Sequence, residues 1–128
     1  MTQKLLETRP AMVLVAMMLT VSLTMLVAVA GEKPTADEIA SAISDHTYQG
    51  SMSKAGSGFA EYYAPDGTIR GDGYTGKWRT EDGVMCFRYG ENPERCFEVT
   101  INGPSMLMYK NGEIDCNGML IEGNPQEF

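Results

Sequence analysis

Histidine, cysteine and basic residues are scarce in this sequence, and each scarcity excludes a class of chemistry. The 128 residues include one His, three Cys and 10 Lys and Arg against 17 Asp and Glu. A zinc site normally needs three or four converging His, Cys or carboxylate ligands, and a nucleophilic Cys needs a neighbouring base. One His supplies neither, so the sequence predicts no catalytic residue, no metal site, no cofactor and no enzymatic activity.

The scarcity of basic residues gives the chain a formal net charge of −7. Beyond residue 30 the chain is one charge more acidic, because Lys4 and Arg9 are lost together with a single acid, Glu7. An acidic surface repels phosphate backbones and anionic lipids, and it attracts basic partners. Nucleic acid is therefore excluded as a partner, and the acidity serves either solubility or the binding of a basic protein.

Charge is also missing from Ala11 to Ala30, a run that follows Lys4 and Arg9 and closes on small residues before Gly31. This layout predicts a secretory signal peptide over residues 1–30. The run is also long enough to cross a bilayer of roughly 30 Å, so an uncleaved membrane anchor stays open as the alternative. Both alternatives place the remainder outside the cytoplasm, in the periplasm or the medium, and the protein contacts a membrane only if the leader is uncleaved.

A short segment after the leader has the features of a helix. Thr35 is a suitable N-cap for residues 36–43, and acidic residues occupy the first turn. Ile39, Ala40 and Ile43 would form a narrow apolar stripe on this helix. Residues 31–46 are therefore predicted to be a linker and a short helix.

Beyond Ser44, Asx-Gly dipeptides that mark tight turns separate segments rich in aromatic and β-branched residues. The dipeptides begin at residues 66, 72, 82, 102, 111 and 117. The predicted strands lie near 47–52, 58–63, 67–74, 76–80, 84–89, 95–101, 105–110 and 113–122. Most connections are too short for a helical crossover, so neighbouring strands should pair antiparallel. A sheet of this kind tends to curl and close into a barrel, because closure removes its exposed edge strands. The predicted fold is all-β: a small up-and-down barrel or curled meander of about eight strands over residues 47–128.

Two of the three cysteines lie on adjacent predicted strands. Placing the bulkier apolar set of each strand inward puts Cys86 and Cys96 on the same outer face, and a hairpin through residues 90–93 puts them opposite each other. We therefore predict a Cys86–Cys96 disulfide, which requires an oxidising compartment. Cys116 has the same parity as Ile114 and is predicted to be a buried free thiol.

Several short motifs resemble those of known exported proteins. They are His46-Thr47-Tyr48-Gln49-Gly50, Tyr62-Tyr63-Ala64-Pro65-Asp66-Gly67, Gly76-Lys77-Trp78, Met85-Cys86-Phe87 and Arg95-Cys96-Phe97. Over residues 44–123 the pattern resembles small exported bacterial proteins of unknown function and, more loosely, lipocalin-like (calycin) barrels, which include secreted inhibitors of metalloproteases. Lipocalins typically carry Gly-x-Trp on the first strand, whereas here it falls near the fourth. The resemblance to the exported proteins implies no activity.

Three groups of residues suggest sites, and each has a simpler explanation. His46 follows Asp45, which could orient its ring, but a lone His is usually a surface or capping residue. Glu61, Asp66 and Asp72 could together hold calcium, but the calcium-loop spacing is absent, and each Asp precedes a Gly in a turn dipeptide, which explains it without a metal.

The aromatic residues could line a pocket for a small apolar ligand, or they could simply fill the barrel, which the size of an eight-stranded barrel also allows. The candidate pocket residues are Phe59, Tyr62, Tyr63, Tyr74, Trp78, Phe87 and Phe97. We expect a non-enzymatic envelope protein that binds a small ligand or a protein partner. The alternative is an inhibitor of a secreted hydrolase, a protease or a lysozyme, in which an acidic surface or a projecting segment meets a basic or clefted enzyme.

Overall fold

The computed structural model describes residues 32–128, and the predicted signal peptide or membrane anchor over residues 1–30 lies outside them. The described chain begins with one helix, α1 (Ala36–Ile43), as predicted. Its N-cap Thr35 accepts a hydrogen bond from the Glu38 amide, and the Glu38 carboxylate accepts one from the Thr35 amide. This capping box satisfies two amides that the first helical turn leaves free. Among the described residues, no helix has the length and apolar character needed to cross a membrane.

Eight antiparallel strands follow the helix and close into an up-and-down barrel, in which the first strand pairs with both the second and the last. The predicted fold class is therefore confirmed. The strands are β1 (His46–Met52), β2 (Gly58–Tyr63), β3 (Thr68–Gly71), β4 (Tyr74–Glu81), β5 (Val84–Arg88), β6 (Arg95–Asn102), β7 (Ser105–Lys110) and β8 (Glu113–Glu122).

Two of the predicted turns need comment. The predicted strand 67–74 is interrupted, because Asp72 and Gly73 form the turn between β3 and β4 and Gly73 adopts a positive φ of 77°. The dipeptide Asn117-Gly118 is not a turn, because it lies inside β8 and pairs with β1. Asx-Gly dipeptides therefore occur both in turns and inside a paired strand, and the sequence alone does not distinguish these two cases.

The helix closes one end of the barrel. The first residue of the helix is hydrogen-bonded to the β4–β5 hairpin: the Ala36 amide donates to the Asp82 carboxylate, and the Thr80 hydroxyl donates to the Ala36 carbonyl oxygen. Ile39 and Ile43 are fully buried, and Ala42 packs beside them instead of the predicted Ala40. We call this the closed end; the loops β1–β2, β3–β4, β5–β6 and β7–β8 form the opposite, open end.

The closed half of the barrel holds the apolar core, and inward and outward side chains alternate along the strands as pleating requires. The fully buried side chains of this half include Tyr48, Tyr63, Ile69, Met85 and Met106. The Tyr48 hydroxyl donates to the Met106 carbonyl oxygen at 2.9 Å, so the buried phenol keeps a partner. The candidate site therefore lies in the open half of the barrel, beyond this packed core.

Cys86 and Cys96 are directly opposed in the β5–β6 hairpin and form a disulfide, as predicted. The bond lies on the outer face, where the Arg79 guanidinium binds both carboxylate oxygens of Glu94. Cys86 is fully buried, whereas Cys96 is exposed. The disulfide is consistent with an oxidising, extracytoplasmic location.

Candidate functional site: an interior cavity with a buried carboxylate

The open half of the barrel is not filled by its side chains. It contains a cavity of about 680 Å³ whose walls come from β1, β2, β4–β8 and the β5–β6 loop. This volume lies within the range of roughly 300–1,000 Å³ that is usual for small-molecule sites. Its inner wall is mostly aromatic and sulfur-containing: Phe59, Tyr63, Tyr74, Phe87, Tyr89, Phe97, Met108 and Cys116.

The structure divides the predicted pocket residues into two groups. Phe59, Tyr63, Tyr74, Phe87 and Phe97 line the cavity. Tyr62 does not, because it has the opposite strand parity to Tyr63, and its hydroxyl instead donates to Asp45 at 2.7 Å.

Trp78 also lies away from the cavity. Its indole N–H donates to the Ala64 carbonyl oxygen at 3.0 Å, and its ring packs edge-on against Tyr63. The Trp78 side chain faces inward, but it sits at the closed end. Strand parity predicts the face on which a residue lies, whereas its height along the barrel decides whether it meets the cavity.

Glu61 forms the floor of the cavity. It is only 7% exposed, and it lies on β2 between Phe59 and Tyr63, which share its inward face. Three tyrosine hydroxyls donate to its carboxylate. Tyr63 donates to Oε2 at 3.0 Å, and Tyr74 donates to Oε1 at 2.8 Å. The Tyr89 hydroxyl lies between the two oxygens, 2.8 Å from Oε1 and 3.0 Å from Oε2. A buried carboxylate requires partners of this kind, since an unsatisfied one is very costly.

The three tyrosines keep their protons because of their surroundings. Burial, followed by the charge of Glu61, raises the pKa of Tyr63 and of Tyr89. Burial and the hydrogen bond to Glu61 raise the pKa of Tyr74. All three hydroxyls therefore remain hydrogen-bond donors to Glu61.

Two glycines give the tyrosine rings room to reach Glu61. A Cβ atom on Gly71 would overlap the Tyr74 ring, and one on Gly76 would lie 2.8 Å from the Tyr89 ring. Both rings lie against bare backbone, and they contact each other edge-on with centroids 5.9 Å apart. The absence of side chains at these two positions thus contributes directly to the geometry of the site.

Cys116 is a free thiol, as predicted, and it lines the cavity. Burial and the neighbouring Asp115 raise its pKa to about 11. The predicted parity with Ile114 is wrong, since a bulge between β7 and β8 pairs Met108 with Cys116 but Tyr109 with Ile114. Ile114 is therefore exposed, whereas Cys116 faces inward.

The remaining polar candidates are separated by the fold. His46 Nδ1 lies 2.8 Å from the Ser44 carbonyl oxygen, while the Asp45 carboxylate bonds to Tyr62. Asp66 lies in the β2–β3 turn at the closed end, where its carboxylate accepts from the Thr68 amide, whereas Asp72 lies in a turn at the open end. These two carboxylates and the interior Glu61 therefore do not form one calcium site.

One group of potential metal ligands lies close together within residues 32–128, and it consists of Cys86, Glu94 and Cys96. Two of its three members are the disulfide sulfurs, which are not thiolates. This group is therefore explained by the disulfide and by the ion pair between Glu94 and Arg79.

Sequence reasoning missed the role of Glu61, although a signal was present. Phe59, Glu61 and Tyr63 alternate along β2, so the same parity that points two aromatic rings inward points a carboxylate inward as well. An inward-facing charge in a barrel of this size is unusual, because charged residues are rarely buried without partners.

The fold and the cavity define a class: a closed eight-stranded antiparallel barrel with an interior cavity, compatible with the calycin-like pattern. Comparison of this chain with protein-family models, with curated proteins and with solved structures finds no match.

Proposed function

We propose that this protein is a non-enzymatic binding module that takes a small, largely apolar ligand into the open half of its barrel. The cavity of about 680 Å³ carries the proposal, because it combines aromatic walls with one oriented polar group, Glu61. Pockets for small molecules usually have this composition, with apolar walls for affinity and a few polar groups for orientation. Eight-stranded barrels are just wide enough to hold one such molecule.

The predicted leader and the disulfide support a proposal about the place of action. The Cys86–Cys96 bond suits an oxidising compartment. Together with the apolar run before Gly31, it supports export to the bacterial envelope or the medium as part of the proposal. Inhibition of a secreted hydrolase rests on the acidic surface alone and stays a prediction.

Uptake of a neutral fluorescent probe tests the proposal. N-phenyl-1-naphthylamine becomes fluorescent in apolar surroundings, and we expect the protein purified from cells that express the full chain to bind it. Met108 and Leu107 are neighbours on β7, and only Met108 lines the cavity. We expect Met108→Trp to fill the cavity and weaken probe binding at least about tenfold, and Leu107→Trp to leave binding unchanged.

Circular dichroism and thermal unfolding would establish that both variants are folded. Failure of the unaltered protein to bind the probe would contradict the proposal. Equal probe binding by the two tryptophan variants would contradict it as well, because the probe would then lie outside the barrel.

A further inference from the structure

We propose that the ligand is an organic cation, an ammonium group carried on an apolar body, and that its charged nitrogen binds the Glu61 carboxylate at the floor of the cavity. This inference rests on the proposed function, since it assumes that the cavity is the binding site. It adds the chemical class of the ligand and the atom that recognises it.

Within the part of the chain that the structure describes, the Glu61 carboxylate has no cationic partner. The ion pairs formed within residues 32–128 join Lys33 to Glu98 and Arg79 to Glu81 and Glu94, and Glu61 takes part in none of them. Its side chain is almost wholly removed from solvent, and its carboxylate is held by neutral hydroxyls only. Buried charges are normally paired, so this carboxylate has the hydrogen bonds that orient it but no opposite charge.

Glu61 also keeps unused capacity to accept hydrogen bonds. An ionised carboxylate has about four acceptor positions, whereas the three tyrosines can donate only three protons. Tyr89 spans both oxygens, and the other two hydroxyls each use one. The carboxylate also lines the cavity, so a donor within the cavity can reach it. An ammonium N–H is the donor that supplies both the proton and the missing charge.

The aromatic wall of the cavity suits a cation as well. Tyr74 and Tyr89 flank the carboxylate, and Phe59, Phe87 and Phe97 form other parts of the same cavity. The negative faces of aromatic rings attract cations, and cages of such rings are a recurring way of holding ammonium groups. The same rings bind the apolar body of the ligand, so one wall serves both parts of the molecule.

The charges at the cavity mouth do not replace a ligand cation. Arg95 and Lys110 line the cavity, but both are exposed residues at the ends of their strands, and the half-buried Asp115 lies beside them. Charges in contact with water are screened over about a Debye length, whereas a buried pair is screened much less. The rim therefore affects the entry of a cation more than its affinity at Glu61.

A matched series of three indole compounds tests the inference by calorimetric titration. Tryptamine is a cation, tryptophol is its neutral analogue and indole-3-propanoate is an anion of similar shape. We expect the protein to prefer tryptamine over tryptophol by about tenfold or more, the scale of one charge-assisted hydrogen bond, and to bind the anion most weakly.

Two variants locate the preference. Glu61→Gln keeps the size of the side chain but replaces one acceptor oxygen with an amide NH2 and removes the charge, and we expect it to lose the preference for tryptamine. Glu98→Gln removes an exposed carboxylate away from the cavity and should retain the preference. The preference should also survive high salt, which would abolish a general attraction of cations to the acidic surface.

The neutral probe separates failure of this inference from failure of the proposed function. Binding of N-phenyl-1-naphthylamine by Glu61→Gln shows that the cavity of this variant is intact. If the unaltered protein binds the neutral probe but has no preference for tryptamine, the cation inference is overturned and the binding function stands. The cation inference is likewise overturned if folded Glu61→Gln keeps the preference. If the unaltered protein binds neither compound, both proposals fail.

Discussion

Gly50 and Gly118 lie opposite each other where β1 and β8 join to close the barrel. A Cβ atom on Gly118 would lie 2.5 Å from the Gln49 carbonyl oxygen and 2.6 Å from the Gly50 Cα, and a Cβ atom on Gly50 would lie 2.5 Å from the Asn117 carbonyl oxygen. Real side chains do not approach backbone so closely. Closure of this barrel therefore depends on two residues that have no side chain.

We expect Gly118→Ala to destabilise the protein by about 1–3 kcal/mol, the usual cost of overpacking. Backbone atoms, which cannot rotate away, form two of the three closest contacts of the added methyl group. Gly58→Ala is the matched control, because a Cβ on Gly58 meets nothing closer than 3.9 Å, and its effect should be within about 0.5 kcal/mol. Urea unfolding measures both values. Equal stabilities of the two variants would contradict the role of close approach at the β1–β8 junction.

Removal of the disulfide should cost about 3 kcal/mol, the chain-entropy value for a loop of this length. The bond joins residues separated by 10 positions in sequence. The double variant Cys86→Ala, Cys96→Ala should therefore unfold at a lower urea concentration than the unaltered protein. A reductant should lower the unfolding midpoint of the unaltered protein and leave that of the double variant unchanged. Three alkylatable thiols in unfolded, non-reduced protein would show that the bond does not form.

The Cys116 thiol should react slowly while the protein is folded. Its pKa rises from 9.0 to about 11, mainly because of burial. Below pH 9 the thiolate population is then reduced on the order of a hundredfold, and only the thiolate is nucleophilic. We expect iodoacetamide to modify Cys116 at least this much more slowly in folded protein than in urea. Equal rates in the folded and unfolded protein would contradict the buried position of this thiol.

Alkaline pH should destabilise the fold through the tyrosines around Glu61. The pKa of each of Tyr63, Tyr74 and Tyr89 is raised above the ordinary value of 10.0 by burial and by Glu61. The folded protein therefore retains protons that the unfolded chain releases, so stability is fully present below pH 10 and falls as the pH rises above it.

Tyrosinate absorbance and circular dichroism, followed together in an alkaline titration, measure this effect. We expect ionisation of these tyrosines to coincide with loss of the fold. Complete ionisation of all six tyrosines with the circular dichroism spectrum unchanged would contradict the structure of the cavity floor.

Local patterns in the sequence predicted most of the fold. Thr35 and the acidic residues after it marked the start of α1, and most of the Asx-Gly pairs marked the hairpins. The alternation of Phe87 and Phe97 with Cys86 and Cys96 put both cysteines on the outer face, and the predicted turn through residues 90–93 selected the register in which they lie opposite each other. These features depend on residues close together in the chain.

The cavity was predicted less completely, because its walls come from strands far apart in sequence. Phe59 and Tyr74 were placed correctly, whereas Trp78 lies at the closed end, and Tyr89 and Met108 were not anticipated as wall residues. Parity assigns a residue to a face, but its height in the barrel depends on the stagger between all eight strands.

The sequence by itself determined the helix, most strand boundaries, the direction of most side chains and the pairing of two cysteines. Each of these follows from a local period, a cap or a turn. Only the tertiary structure decided that Glu61 meets Tyr74 and Tyr89, that Gly118 faces Gly50 and that one half of the barrel is filled while the other is open. Those relationships depend on how the curled sheet closes on itself, which no local stretch of sequence encodes.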